Sequence, residues 1–152
     1  IDFDSKDLFG NYVYDELAKL NINTVKNKVN KIGIILNLDT HDKPGSHWVC
    51  MFIDLDKKFI FYFDSNGDKP PVEVDRFVDR IKKQSLEVYG KEFKYSDNRN
   101  IEHQYLDGTC GIYALYVIIE LLMGKKTPAY LKKHRITDKM MTKHRFIYFN
   151  EK

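Results

Sequence analysis

Apolar and polar positions along the chain fall into short blocks with two different periods. From Tyr12 to Leu20, the residues Val13, Leu17 and Leu20 share one side of a short helical pattern. Thr24 to Asn30 is polar and fits a second short helix or a loop. Ile32 to Leu38 is rich in branched apolar residues and predicts a buried strand. Asp39 to Ser46 consists of turn formers and predicts a surface loop. His47 to Leu55 reads as a second strand, apolar on both faces apart from His47 and Asp54, and Phe59 to Phe63 as a third. Asp56-Lys57-Lys58 joins these two as an antiparallel hairpin. The Asp64-Ser65-Asn66-Gly67-Asp68 corner ends the third strand, and Pro70-Pro71 prevents its continuation. From Val72 onward, Val74, Phe77, Val78, Ile81, Leu86 and Val88 or Tyr89 describe an amphipathic helix, and Glu92 to Tyr95 predicts a fourth short strand.

The most apolar helical pattern starts at Cys110. Ile112, Leu115, Tyr116, Ile119, Leu122 and Met123 recur at three- and four-residue steps, which predicts a buried face. Asp107, Gly108 and Thr109 supply turn and N-cap chemistry immediately before it. Thr127-Pro128 starts a short helix with proline at its first position. Thr137 caps a last one, for which Met140, Met141, Arg145 and Phe149 are the candidates for the inner face. The pattern predicts one α+β domain over residues 1–152, a small mixed or antiparallel sheet flanked by helices with the Cys110 helix at its centre.

Composition narrows the class without naming a chemistry. With 43% hydrophobic and 14% aromatic residues the chain is an ordinary globular domain. No apolar run approaches the roughly 20 residues that span a bilayer. Opening on Ile1 without a signal-peptide pattern, the chain reads as an excised or N-terminally shortened domain core. A net charge of +3 does not call for nucleic acid, although Lys132-Lys133-His134-Arg135 makes a modest basic region. Two cysteines form no disulfide framework and fit a reducing, cytoplasmic setting. Neither a CxxC pair nor HExxH is present, so neither a metal nor another cofactor is expected.

Candidate chemistry centres on Cys110. A thiol on the first turn of a helix sits in the positive end of the helix dipole, which favours the reactive thiolate. Simple packing of a buried cysteine is the competing reading. A thiol nucleophile needs a base and a group that orients the base. His47, held at the start of a strand after a Gly-Ser turn, is the candidate base. Asp64, at the same end of the hairpin, is the candidate orienting group, with Cβ atoms about 5 Å apart if the two are direct cross-strand neighbours. Asn66 is the alternative third member. Gln104, six residues before the cysteine, is the candidate oxyanion donor. Cys50, mid-strand, is expected in the core. His41, His134 and His144 are expected to face solvent, and the turn position of His103 suits it less well as a base than His47.

The ordered set His47-Trp48, Asp64-Ser65, Gln104 and Cys110-Gly111 resembles the SUMO-protease (ubiquitin-like-protein protease) family of cysteine peptidases, which includes the adenovirus proteinase. The likeness is greater to the branch encoded by large nucleocytoplasmic DNA viruses. It runs through Ile34 to His41, Gly45-Ser46-His47-Trp48, Phe63 to Gly67, and the tail from Arg135 to Phe149. The resemblance implies a papain-related fold and hydrolysis after Gly-Gly-type sequences, without a cofactor. Trp48 would then help form the narrow tunnel that admits glycines, its alternative being a core position. For viral members the implied substrates are structural or core proteins. Removal of ubiquitin-like modifiers from host proteins is the alternative, and an inactive binding module with the same fold is a third reading. Nucleic acid as an activator is compatible but not implied. Two departures stand out: Thr109 occupies a position often held by Asp, and the chain is short for a family catalytic domain.

Overall fold

The computed structural model describes residues 1–149. In chain order the elements are α1 (Asp15–Ala18), α2 (Ile22–Val25), β1 (Lys31–Asn37), β2 (Trp48–Asp54), β3 (Phe59–Phe63), α3 (Val72–Tyr89), β4 (Lys94–Asp97), α4 (Cys110–Leu122), α5 (Pro128–Leu131) and α6 (Asp138–Phe149). The four strands form one sheet in the order β1-β2-β3-β4. β1, β2 and β3 are antiparallel neighbours, and α3 carries the chain over to β4, which lies parallel to β3. The expected α+β class and mixed sheet are what the chain adopts.

Alternation along the strands divides the core in two. Val49, Met51 and Ile53 of β2, with Ile60 and Tyr62 of β3, pack with Val74, Phe77, Val78 and Ile81 of α3. Cys50 and Phe52, with Phe61 and Phe63, pack instead with α4 and with Leu131, Ile136 and Met141 near α5 and α6. β2 is therefore buried on both faces, which explains its continuous apolar run. Gly33 of β1 lets α4 lie close, because a Cβ there would come within 2.8 Å of the Ile118 side chain.

Several boundaries and faces differ from the sequence reading. Tyr12 to Leu20 yields one helical turn only, because Tyr12 is drawn into a β-bridge with Lys6 and Tyr14 gives no side-chain cap. The helical turn after it begins at Ile22, which is fully buried, rather than at Thr24. The fourth strand begins two residues late, at Lys94, because Phe93 turns into the core. In α3 the inward position is Ser85, not Leu86: the Ser85 hydroxyl accepts the Phe93 N–H while Leu86 is exposed. In α4 the buried set is Ile112, Tyr113, Ala114, Tyr116, Val117, Ile118 and Leu121, with Leu122 and Met123 exposed. A helix that is apolar on nearly every side has no contrast from which to read its orientation. In α6, Met141 is buried, whereas Met140 and Phe149 face outward. Thr137 does cap that helix, accepting the Met140 N–H.

Candidate active site

His47 sits one residue before β2, and its carbonyl accepts the Leu38 N–H, which extends the β1-β2 pairing to the rim of the sheet. Asp64 follows the last residue of β3. Because Cys50 pairs with Phe63, Asp64 falls opposite Val49 and lies diagonally from His47, not directly across as the sequence reading had it. The diagonal is still within reach of these side chains: His47 Nε2 and Asp64 Oδ1 are 2.7 Å apart. The hydrogen bond to Asp64 raises the His47 pKa above its ordinary value, against the effect of burial. The neighbouring Cys110 acts in the same direction, to a smaller extent. With Nε2 turned to Asp64, the ring leaves Nδ1 for the sulfur. The structure thus brings His47, Asp64 and Cys110 together.

Asp64 is fully buried and its position is set by a residue that sequence reasoning missed. Asn98 brackets the aspartate backbone, accepting the Asp64 N–H at 2.8 Å and donating to the Asp64 carbonyl at 2.7 Å. Its amide also reaches the Ile101 carbonyl at 3.0 Å. Nothing in the run Asp97-Asn98-Arg99-Asn100 distinguishes that asparagine from a turn former. The corner meets this loop closely at Gly67, whose φ is +76° and whose absent Cβ would lie 2.7 Å from the Ile101 backbone. Asn66 contributes only its backbone N–H to Asp64 Oδ1, at 2.8 Å, and its side chain is exposed. Asp64, not Asn66, occupies the position on the His47 ring.

Cys110 is partly exposed at the first residue of α4. The preceding Thr109 does not cap the helix with its side chain, and its hydroxyl donates to the Leu106 carbonyl at 3.2 Å instead. Among the described residues the Cys110 and Gly111 N–H groups find no acceptor, so both remain for a ligand at the helix start. Gln104 is nearly buried. Its backbone N–H and that of His103 both donate to the Ser65 carbonyl, at 2.9 and 2.8 Å. Its side-chain Nε2 donates to the Leu106 carbonyl at 2.8 Å, and its Oε1 accepts from the Ser65 hydroxyl at 2.8 Å. One Nε2 hydrogen is left uncommitted.

Trp48 is 43% exposed and is not a core residue. With Ile35, Gly108, Cys110, Arg145 and Phe149 it lines a groove of about 630 Å³. A second groove of about 380 Å³ meets the first at Ile35 and Trp48, and His41 lies on its wall in an ion pair with Asp2. Cys50 is buried, and burial pushes its thiol pKa well up. His134 is exposed and stacked on Tyr130. His144 is half-buried against Tyr116, not in solvent as expected. His103 is fully buried, its Nδ1 accepting the Ile136 N–H at 3.0 Å. Burial, helped by the nearby Arg135 charge, pushes its pKa down to about 4.

A thiol on a helix start, an imidazole held by a buried carboxylate and a tethered carboxamide form the arrangement of a cysteine-peptidase centre. The C-terminal catalytic domain of the Ulp1 protease family matches residues 10–152, and the chain belongs to that family. It is 35% identical to a cysteine protease of African swine fever virus over 145 residues, which covers 94% of this chain and 52% of the relative. A thiol-protease-like protein of Acanthamoeba polyphaga mimivirus is 33% identical over 97 residues, 64% of this chain and 32% of that protein. The crystal structure of the African swine fever virus protease superposes with a TM-score of 0.69 at 36% identity, covering 76% of this chain and 43% of that one. The chain therefore falls in the branch of the family found in nucleocytoplasmic large DNA viruses. It spans about half the length of the African swine fever virus relatives it matches.

Proposed function

We propose that this chain carries the catalytic centre of a thiol endopeptidase that cleaves after Gly-Gly-type sequences and matures viral structural or core proteins. The observation that carries this reading is the 2.7 Å clasp of His47 by Asp64 beside the partly exposed Cys110. In the proposed reaction His47 takes the thiol proton, and the sulfur attacks the carbonyl carbon of the second glycine. The developing oxyanion is met by the Cys110 N–H and the uncommitted Nε2 hydrogen of Gln104. His47, now imidazolium and steadied by Asp64, protonates the leaving amine. Water, deprotonated by the same imidazole, then releases the acid product. The exposed indole of Trp48, on the same groove as Cys110, supports a requirement for residues without side chains at the cleavage point. Among the described residues no helix is long and apolar enough to cross a membrane, and the substrate is taken to be a protein met in the host cytoplasm, the virus factory or the virion.

Removal of a ubiquitin-like modifier is the second reading. It is favoured by a 34% identical African swine fever virus relative described as a SUMO-1 cysteine protease. One experiment separates the readings: a Gly-Gly-x peptide library and SUMO and ubiquitin vinyl-sulfone probes, applied to the parent chain, Cys110→Ala and His47→Ala. Cleavage by the parent that falls on the order of 10⁶-fold in Cys110→Ala, and nearly as far in His47→Ala, is expected for groups that act as a unit. Probe labelling without peptide cleavage would favour the modifier reading. An inert thiol in a folded chain would leave only a binding module.

A further inference from the structure

The residue after Asp64 has no part in the mechanism above, yet it makes three contacts with the segment carrying Gln104. The Ser65 carbonyl accepts the N–H groups of His103 and Gln104, and the Ser65 hydroxyl donates to Gln104 Oε1 at 2.8 Å. Ser65 is 1% exposed, so water does not compete for that hydroxyl. We propose that Ser65 is a positioning residue that holds the Gln104 carboxamide with its nitrogen toward the oxyanion, so that the dipeptide Asp64-Ser65 aligns both the base and the oxyanion donor.

A carboxamide has one accepting end and one donating end, and it can enter a pocket either way round. The Leu106 carbonyl can only accept, which places Nε2 on that side. Ser65 completes the selection: facing Nε2 in the flipped state its hydroxyl could only accept, and its own proton, now given to Oε1, would be left without an acceptor in a site closed to water. Two contacts of 2.8 Å on opposite ends of the amide remove its freedom to turn about the last side-chain bond. The second Nε2 hydrogen is then fixed in direction before substrate arrives, which is what makes a donor effective toward a developing charge. The strand end supplies Asp64 to His47 through one residue and Ser65 to Gln104 through the next. Asn98 holds the backbone of the first, and the paired N–H groups of His103 and Gln104 hold that of the second. A shift of this corner would therefore disturb the base and the oxyanion donor together.

The inference rests on the acyl-transfer reading of the site, and two reactions of the same sulfur test it separately. Acylation of Cys110 by p-nitrophenyl acetate forms a sulfur–carbon bond, expels p-nitrophenolate and passes through an oxyanion. Alkylation by iodoacetamide displaces iodide and forms no oxyanion, so it reports only on thiolate, imidazole and fold. Ser65→Ala is expected to slow acylation and Gly-Gly-x peptide cleavage by roughly 10²-fold, the scale of a donor misplaced by about 1 Å. Its alkylation rate and the pH profile of that rate should stay at the parent values. Added to Gln104→Ala, the same change should cost nothing further, because the amide it positions is gone. Ser65→Thr retains the hydroxyl and should recover most of the acylation rate. Equal slowing of acylation and alkylation in Ser65→Ala would overturn the proposal in favour of a purely structural role. Full additivity with Gln104→Ala, or no slowing at all, would also overturn it. A parent chain that is alkylated but never acylated would overturn the acyl-transfer reading and this inference with it.

Discussion

Two histidines lie against the same sheet end, and their surroundings differ in every respect that matters for proton transfer. His47 stands at the rim with one ring nitrogen on a carboxylate and the other free for a thiol. His103 lies beneath the Gln104 segment with Phe63 against its ring at 4.9 Å and the Ile136 N–H on Nδ1. Attraction to Asp64 raises the pKa of the first, while burial takes that of the second down to about 4. A donor on Nδ1 requires a neutral ring, so His103 is a fixed acceptor; a carboxylate on Nε2 favours the charged ring, so His47 accepts a proton readily. Sequence proximity to the thiol says little: His103 is seven residues from Cys110, His47 sixty-three.

The comparison breaks most severely at the carboxylate. Asp64→Ala should lower kcat/KM on the order of 10⁴-fold, the scale seen when the orienting aspartate of a hydrolytic triad is removed. Asp64→Asn separates two contributions, because an amide oxygen still accepts from Nε2 while the charge is gone. Its loss should be smaller, and the alkaline limb of Cys110 alkylation against pH should move to lower pH. The sign follows from the raised His47 pKa: imidazolium is complete below about 6.5 and is lost only as pH rises through the raised value, so removing the charge ends it sooner. An unmoved limb in Asp64→Asn would show that the carboxylate orients the ring without stabilising its charge.

The parts of this site legible in the sequence are those marked by a change of pattern. Cys110 stands where a polar run becomes an apolar helix, His47 where turn formers become strand, and Asp64 where β3 ends in a corner. For Trp48 the sequence leaves tunnel and core both open, since a strand's alternation cannot say whether a helix covers its first residue; α4 covers Cys50 and Phe52 but leaves the indole open. The supports were not legible. Asn98, Ser65, Tyr113 and Asp138 act across gaps of 25 to 39 residues, through hydrogen bonds that only the assembled loops create. The diagonal offset of Asp64 from His47 depends on the four residues from Leu55 to Lys58 that join β2 and β3, and Lys58 adopts a φ of +59° there. No local pattern announces that register.

The buried member of the pair is expected to bear on stability rather than on the proposed chemistry. His103 is neutral when folded and takes up a proton when unfolded, so between about pH 6.5 and 4 the unfolded chain binds more protons and stability falls with falling pH. At about 1.36 kcal/mol per pH unit the loss approaches about 3 kcal/mol at the lower end. His103→Asn offers an oxygen to the Ile136 N–H and cannot titrate. Denaturant unfolding across that range should show a flatter acid limb for the variant, starting from a lower stability at neutral pH because the packing on Phe63 is lost. An acid limb as steep as the parent's would assign the acid sensitivity to other groups. Alkylation of Cys110 near neutral pH should be unchanged, in contrast to any change at His47.

The mildest test loosens the floor under Gln104 and leaves the rim alone. Tyr113 extends from α4 to set its hydroxyl 3.0 Å from the carbonyls of both His103 and Ile136 and 3.2 Å from Asp138 Oδ1. With one proton the hydroxyl serves these oxygens in turn, tying the Gln104 segment to the start of α6. Asp138 reaches the same segment independently through the Tyr105 N–H, and Arg135 both pairs with Asp138 and lies 3.5 Å above the Tyr105 ring. Tyr113→Phe keeps the ring in the core and removes the hydroxyl, which should cost about 1 kcal/mol of unfolding free energy. Because Ser65 and Leu106 still hold the Gln104 amide, acylation should fall by no more than a fewfold and alkylation not at all. A loss in acylation as large as that of Gln104→Ala would mean that the donor's direction is set from α4 and α6, and that the strand corner is the lesser support.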